Sequence, residues 1–163
     1  MGAGVTLAAA GSSHRLGVVA YMKIAIAADH GGYELKEALK RHFAAYHFTD
    51  LGTNSSESVD YPDYAAALAR RLAAGEFDRG ILICGSGIGI SIAANKIKGI
   101  RAALCHNAYT AEMARRHNDA NILAMGGRVV DEKTAVEMTD IFLKTEFEGG
   151  RHAARVAKIS ALE

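Results

Sequence analysis

Cysteine is scarce in this sequence, and its two copies lie far apart. Cys84 and Cys105 form no CxxC pair, so the sequence indicates neither a disulfide framework nor a cysteine-based zinc site. The HExxH spacing of many zinc enzymes is missing as well. We therefore expect no bound metal ion, and a reducing, cytoplasmic setting.

An excess of charge of one sign is also missing. Nineteen Lys and Arg residues nearly balance 18 Asp and Glu residues in a chain of 163, which argues against general attraction to nucleic acid or to an anionic membrane. No apolar run approaches the roughly 18 residues of a membrane span. Residues 1–21 are small and Gly-rich but lack a basic region typical of a signal peptide. Because positive and negative charges nearly balance over the whole chain, any affinity for anions must come from a local group of residues.

With a single proline, Pro62, the chain after Met22 shows an uninterrupted alternation of two patterns. Short aliphatic runs are followed by segments with apolar residues at helical spacing. Strands are predicted at 23–28, 49–51, 80–83, 101–104 and 121–124, and helices at 33–46, 61–74, 86–97, 108–117, 131–144 and 152–159. This order predicts a three-layer α/β/α, Rossmann-like domain with a parallel sheet of about five strands. Residues 22–163 form this one domain, and we expect residues 1–21 to be an extension outside it.

In such a sheet, ligands bind beyond the carboxyl ends of the strands. Chemically notable residues follow four of the predicted strands, and they include Asp29 and His30, the segment 84–89, His106 with Asn107, and Gly126 to Arg128. One edge of the sheet is thus predicted to carry the chemistry.

The segment CGSGIG, residues 84–89, does not match common glycine-rich motifs. Gly85, Gly87 and Gly89 occur at every second position. A dinucleotide fingerprint needs glycine at position 90 and a phosphatase loop needs arginine there, but this chain has Ile90. A hydrolase elbow around Ser86 needs glycine at 84 and 88. What remains is a loop of accessible amides beside a thiol. That combination suits a thiolate base that removes a carbon-bound proton while amides stabilise the enediolate.

These residues also have purely structural interpretations. A buried cysteine at a strand end is usually a small hydrophobic residue, and Cys105 is expected to be one. Asp29 and His30 could simply cap a helix. Arg151, His152 and Arg155 could form a solvated basic patch.

Several blocks of the sequence carry a resemblance to a known family. AADHGGYELK, GTNSSESVDYPDYA, GILICGSGIGISIAANKIKGIRAAL, ARRHNDANILAMGGRVV and EGGRHAARV resemble, in this order, the signature blocks of the type B ribose-5-phosphate isomerases. These enzymes belong to a sugar-phosphate isomerase family that also holds allose- and galactose-6-phosphate isomerases. The resemblance runs from Met22 to about Ile159. It implies a metal-free and cofactor-free interconversion of ribose 5-phosphate and ribulose 5-phosphate through an enediol, in the non-oxidative pentose phosphate pathway.

The resemblance also implies roles for individual residues. Cys84 is the base that moves a proton between C1 and C2, and His117 assists opening of the furanose ring. The anion hole is implied at Gly85, Ser86, Gly87, Ile88 and Gly89, with Ser86 also counted among the catalytic residues. Asp29, His30, Asn118, Arg128, Arg151 and Arg155 are implied to contact the sugar phosphate. One branch of the family uses a glutamate where this chain has Ile90, so Cys84 is the base candidate of this loop.

Family members are homodimers, often paired into tetramers, and their active sites are shared between subunits. The resemblance implies that His117, Asn118 and Arg128 reach the site from the neighbouring subunit. Two alternatives stay open from the sequence: an isomerase of a six-carbon sugar phosphate, and a non-catalytic sugar-phosphate sensor with the same fold.

Overall fold

The computed structural model describes residues 22–163 of the chain. The predicted extension, residues 1–21, lies outside the described residues. The sheet has five parallel strands in the order β2-β1-β3-β5-β4. They are β1 Ile24–Ala28, β2 Thr49–Asp50, β3 Arg79–Cys84, β4 Ala102–Leu104 and β5 Ile122–Gly126. The predicted fold class is confirmed, and every predicted strand is present within two residues of its expected bounds.

Within residues 22–163, six α-helices surround the sheet. They are α1 Tyr33–His42, α2 Tyr61–Ala73, α3 Ile88–Ala94, α4 Ala108–Asn118, α5 Glu132–Lys144 and α6 Arg151–Ser160, with a 3-10 turn at Ala44–Tyr46. Two predicted helices were too long by more than one residue. The first ends at His42 because Phe43 leaves the helical region, with φ −102° and ψ 36°. The other begins only at Ile88 because Gly87 has a left-handed backbone, with φ 78°, and it ends at Ala94 instead of residue 97.

The two faces of the sheet bury two separate apolar cores. Along β1, Ile24 and Ile26 point into one core while Ala25 and Ala27 point into the other, as the two-residue period of a strand requires. Helices α1, α4 and α5 cover the first face, and α2 and α3 cover the second. Burial on both faces explains why the strands are apolar runs without alternating polar residues.

Strand order places three loops side by side. Because β1, β3 and β5 are adjacent and parallel, the segments that follow them emerge at the same edge of the sheet. The first of these loops ends where α1 begins, and the second where α3 begins. Among the helices of residues 22–163, none combines the length and apolar character needed to cross a membrane.

Candidate active site

The three loops at this edge are joined by backbone hydrogen bonds. The Gly127 amide donates to the Cys84 carbonyl at 2.8 Å, and the Arg128 amide donates to the Gly85 carbonyl at 3.0 Å. On the other side, the Asp29 amide donates to the Ile83 carbonyl at 3.1 Å. The loop that starts at Cys84 is therefore held between its two neighbours.

Glycines allow this close approach of backbones. A Cβ atom on Gly31 would lie 2.8 Å from the Gly85 nitrogen, and one on Gly127 would lie 2.5 Å from the Gly31 oxygen. Both distances are shorter than those that real Cβ atoms make with their neighbours. The atoms that the added Cβ would meet belong to the backbone, which cannot move aside as a flexible side chain can. Side chains at either position would push the loops apart.

We expect Gly31→Ala to lower both activity and stability, because its Cβ must displace the loop that carries Cys84. The free energy of unfolding should fall by roughly 1–3 kcal/mol, the usual cost of overpacking. Thermal unfolding and turnover measure the two effects. Gly75→Ala is the control, since a Cβ there meets nothing within 4 Å; its φ of 82° adds some strain, but activity should persist. Equal turnover in the Gly31 variant and the parent would contradict the packing argument.

Cys84 ends the central strand and is only 4% exposed. Its Sγ accepts a hydrogen bond from the Gly87 amide at 3.1 Å, and Ser86 Oγ accepts one from the Ile88 amide at 3.2 Å. Within the described chain, the amides of Gly85, Ser86 and Gly89 have no hydrogen-bond acceptor. The loop thus combines a thiol with amides that are available to an anion.

Cys105 lies in a different environment. It is 1% exposed within the first apolar core, and burial raises the pKa of its thiol to about 11. The thiol therefore stays protonated at neutral pH and is a weak nucleophile and base. This placement fits the structural role expected for Cys105.

Asp29 and His30 both have partners within the chain. Asp29 Oδ1 accepts from the amides of Gly31 at 2.8 Å and Gly32 at 3.1 Å, which orders the turn before α1. Nδ1 of His30 lies 3.2 Å from the Val59 amide nitrogen and 3.3 Å from the Val59 carbonyl oxygen, so the backbone of Val59 holds the ring in place. The capping interpretation of Asp29 is wrong, because the N-cap residue of α1 is Gly32 and no side chain among the described residues caps this helix; Asp29 instead fixes the turn that lies beside Gly85.

Arg128 lies against the Cys84 loop of its own chain. A Cβ atom on Gly85 would be 3.3 Å from Nη1 of Arg128, and the backbones of the two residues are hydrogen-bonded. The resemblance groups Arg128 with His117 and Asn118 as contributions from the neighbouring subunit. Within one chain, the adjacent strands β3 and β5 carry Arg128 to the same loop as Cys84.

A second group of polar side chains forms where α4 ends and α6 begins. The rings of His117 and His152 stack with centroids 4.1 Å apart and an interplanar angle of 8°. Glu148 lies beside both rings, with Oε2 4.0 Å from Nε2 of His117 and Oε1 3.9 Å from Nε2 of His152. Arg116 anchors this carboxylate through two hydrogen bonds to Oε2, at 2.9 and 3.1 Å.

Charge and burial affect this second group. Burial lowers the pKa of His152, and electrostatic repulsion by the neighbouring His117, Arg151 and Arg155 side chains lowers it further, against the opposing effect of Glu148. Arg116 and the two histidines lower the pKa of Glu148. A neutral His152 beside an ionised Glu148 is therefore the favoured state near pH 7.

The two groups are separate within one chain. Among the hydrogen bonds, ion pairs and ring contacts of residues 22–163, none joins the Cys84 loop to His117, His152 or Glu148. Arg151 and Arg155 belong to the second group through α6, and Asn118 adjoins it at the end of α4. A single chain thus brings the predicted site residues together in two sets.

Comparison with known proteins gives the family. The model of the ribose/galactose isomerase family matches residues 24–159, which is nearly the whole of the described chain. The chain belongs to this family. The resemblance seen in the sequence is thereby confirmed.

Relatives and solved structures support the same assignment. Ribose-5-phosphate isomerase B of Escherichia coli is 50% identical over 143 residues, which cover 86% of this chain and 96% of the relative. A putative sugar phosphate isomerase of Bacillus subtilis is 52% identical over 145 residues, covering 87% and 97% of the two chains. The solved ribose-5-phosphate isomerase B of Clostridium thermocellum has a TM-score of 0.85 at 55% identity and covers 86% of this chain and 97% of its own.

A further solved relative carries a ligand. The ribose-5-phosphate isomerase B of Mycoplasma genitalium, with bound ribulose-5-phosphate, has a TM-score of 0.83 at 41% identity. The alignment covers 87% of this chain and 96% of the relative. Membership of this isomerase family therefore extends over the whole α/β domain.

Sequence reasoning missed two residues of this family member's candidate site. Tyr61 begins α2, and a Cβ on Gly89 would lie 2.5 to 2.8 Å from its ring and hydroxyl atoms, so the side chain covers the end of the Cys84 loop. Glu148 and His152 are four residues apart, which is the spacing of one helical turn. Gly149 and Gly150 lie between them and do not favour a helix, so the sequence did not indicate that the two side chains meet. Only the approach of α4 to α6 shows that Glu148 faces His117.

Proposed function

We propose that the chain interconverts D-ribose 5-phosphate and D-ribulose 5-phosphate through an enediol intermediate, as a cytoplasmic enzyme of the non-oxidative pentose phosphate pathway. The observation that carries the proposal is Cys84 Sγ within a loop whose amides are available to an anion. The names of the Escherichia coli and Mycoplasma genitalium relatives supply the substrate.

In the proposed reaction, Cys84 transfers a proton between two carbons. The thiolate removes the proton from C2 of the open-chain aldose, and the electrons move onto the C1 carbonyl oxygen to give an enediolate. Amides of residues 85–89 stabilise the developing negative charge. The proton then returns to C1, the O2 hydroxyl proton passes to O1, and C2 becomes the ketone. Ser86 lies in the same loop, where its hydroxyl can bind a substrate hydroxyl.

We assign phosphate binding to the second group of residues. Arg151 and Arg155 are four residues apart on α6 and so lie on one face of that helix. Arginine suits a phosphate because its planar guanidinium makes bidentate contacts and stays protonated. Arg128 beside Gly85 offers a further cation on the side of the Cys84 loop.

The separation of the two groups supports a homodimer with shared sites. Ile88 and Ile92, four residues apart on α3, are 53% and 56% exposed, and Val129 beside the Cys84 loop is exposed too. Apolar side chains grouped in this way favour an interface. We propose that a second copy of the chain covers them and brings its own His117 group to Cys84. Pairing of such dimers into tetramers is compatible with this arrangement.

Turnover of two substrates tests the proposal. Ribose 5-phosphate should be isomerised with a kcat/KM well above that for allose 6-phosphate. The opposite preference would support the six-carbon alternative. Absence of turnover with both sugars, in a folded protein that still binds them, would support the sensor alternative.

For His117 we expect a defect that depends on the form of the substrate. His117→Asn should slow turnover of ribose 5-phosphate, which is mostly a closed ring, and should spare a linear analogue such as erythrose 4-phosphate. The reason is that general acid-base catalysis of ring opening is needed only for the closed form. Steady-state kinetics with both substrates measure the difference. An equal loss with both would exclude a role limited to ring opening.

A further inference from the structure

The stacked pair His117 and His152, together with Glu148, brings three metal-ligating groups to one place. One ligand atom from each, two imidazole nitrogens and one carboxylate oxygen, lie within 4.8 Å of one another. We propose that these three side chains bind one divalent transition-metal ion of the Zn²⁺ type, and that this ion inhibits the enzyme. Two histidines and one glutamate are a donor set found in zinc enzymes, where a fourth position stays open.

His152 provides independent support for a ligand at this place. Its side chain is 5% exposed, yet Nε2 has no hydrogen-bond partner among the described residues. A buried polar atom without a partner loses its interaction with water and gains nothing in return. Oε1 of Glu148 lies 3.9 Å from this nitrogen, so an ion between these two atoms would satisfy both.

Glu148 is already positioned to take part. Arg116 binds only Oε2 of this carboxylate, and Oε1 has no hydrogen bond within the described chain. The Glu148 amide also donates to the Arg116 carbonyl at 3.0 Å, which fixes the backbone before α6. The carboxylate can therefore ligate through Oε1 while Arg116 still holds it.

Metal binding requires a small rearrangement. Ligand atoms around a tetrahedral zinc ion with bonds of about 2.0–2.1 Å lie about 3.3 Å apart, so the group must contract. The parallel rings must also rotate, because the lone pairs of stacked imidazoles run parallel and cannot point at one ion. The stacked and the metal-bound arrangements of His117 and His152 are thus alternative states. While His117 binds the ion, it cannot act as an acid or base.

Inhibition rests on the proposed function, whereas metal binding does not. If His117 opens the furanose ring, Zn²⁺ should slow turnover of ribose 5-phosphate more than turnover of a linear analogue, and a chelator should restore it. Failure of this selectivity together with retained binding would reject the ring-opening role and leave the metal site intact.

Binding is measured directly by competition with a chromophoric Zn²⁺ chelator, using the full chain. We expect one ion per chain, with affinity reduced at least about tenfold in Glu148→Gln and reduced similarly in His152→Ala. Glu148 is partly exposed, so its isosteric variant should fold even if the His152 variant does not. His42→Ala, which removes an exposed histidine, and Cys84→Ala are the controls and should bind as the parent does.

Co²⁺ gives a second readout. Four-coordinate Co²⁺ absorbs visible light much more strongly than six-coordinate Co²⁺, so binding should produce intense bands that are absent in Glu148→Gln. Unchanged affinity in Glu148→Gln would overturn the proposal. So would a loss of binding in Cys84→Ala, which would place the ion at the thiol.

Discussion

Replacing Cys84 with alanine is expected to reduce turnover by about a hundredfold or more, the usual contribution of a general base. The fold and substrate binding should persist, because the loop is held by backbone hydrogen bonds to Gly127 and Arg128 that do not involve the thiol. The lost contact is one hydrogen bond from the Gly87 amide to Sγ. Steady-state kinetics, thermal unfolding and ligand binding separate these effects.

Cys105→Ala is the matched control for this variant. It removes the other thiol of the chain, also buried but within the first core, and it should leave kcat close to that of the parent. Turnover of Cys84→Ala within about tenfold of the parent would exclude Cys84 as the general base.

Mixing two inactive variants is expected to restore activity. Cys84→Ala and His117→Ala should each be nearly inactive alone with ribose 5-phosphate. In a mixed dimer, one shared site has both residues intact and the other lacks both. Random association makes half of the dimers mixed, so roughly a quarter of the parental activity should return.

Refolding the two chains together ensures exchange of subunits. Differently tagged chains, purified through both tags in sequence, isolate the mixed dimers, which should have about half the parental activity per dimer. Mixed dimers that stay inactive would mean that Cys84 and His117 serve one site within a single chain. Refolding of either variant with itself is the control and should recover nothing.

The sequence alone was sufficient for the architecture and for much of the candidate site. Aliphatic runs such as 80–83 can be buried on both faces only in a covered parallel sheet, and five strands were found where they were predicted. The Cys84 loop was predicted at the carboxyl edge of the sheet, because glycines there follow a strand and precede a helix. These features depend on local spacing, which a sequence displays directly.

Helix ends were less predictable. The pattern of apolar residues continues through Phe43 and Tyr46 although α1 stops at His42, since a 3-10 turn keeps the same side chains on the core. Helix α3 cannot begin before Ile88, because Gly87 has a left-handed backbone conformation. Periodicity reports which face is buried and does not report the backbone angles of the last turn.

Only the tertiary structure decided which candidate site residues meet. Strand order β3-β5 placed Arg128 with Cys84, and packing of α6 on α4 brought Glu148 and His152 to His117. The two partners in each of these contacts are 30 or more positions apart in the chain, so no local sequence pattern predicts that they meet. Sequence determines contacts along a strand or helix through its period, whereas contacts between elements depend on how the elements pack as a whole.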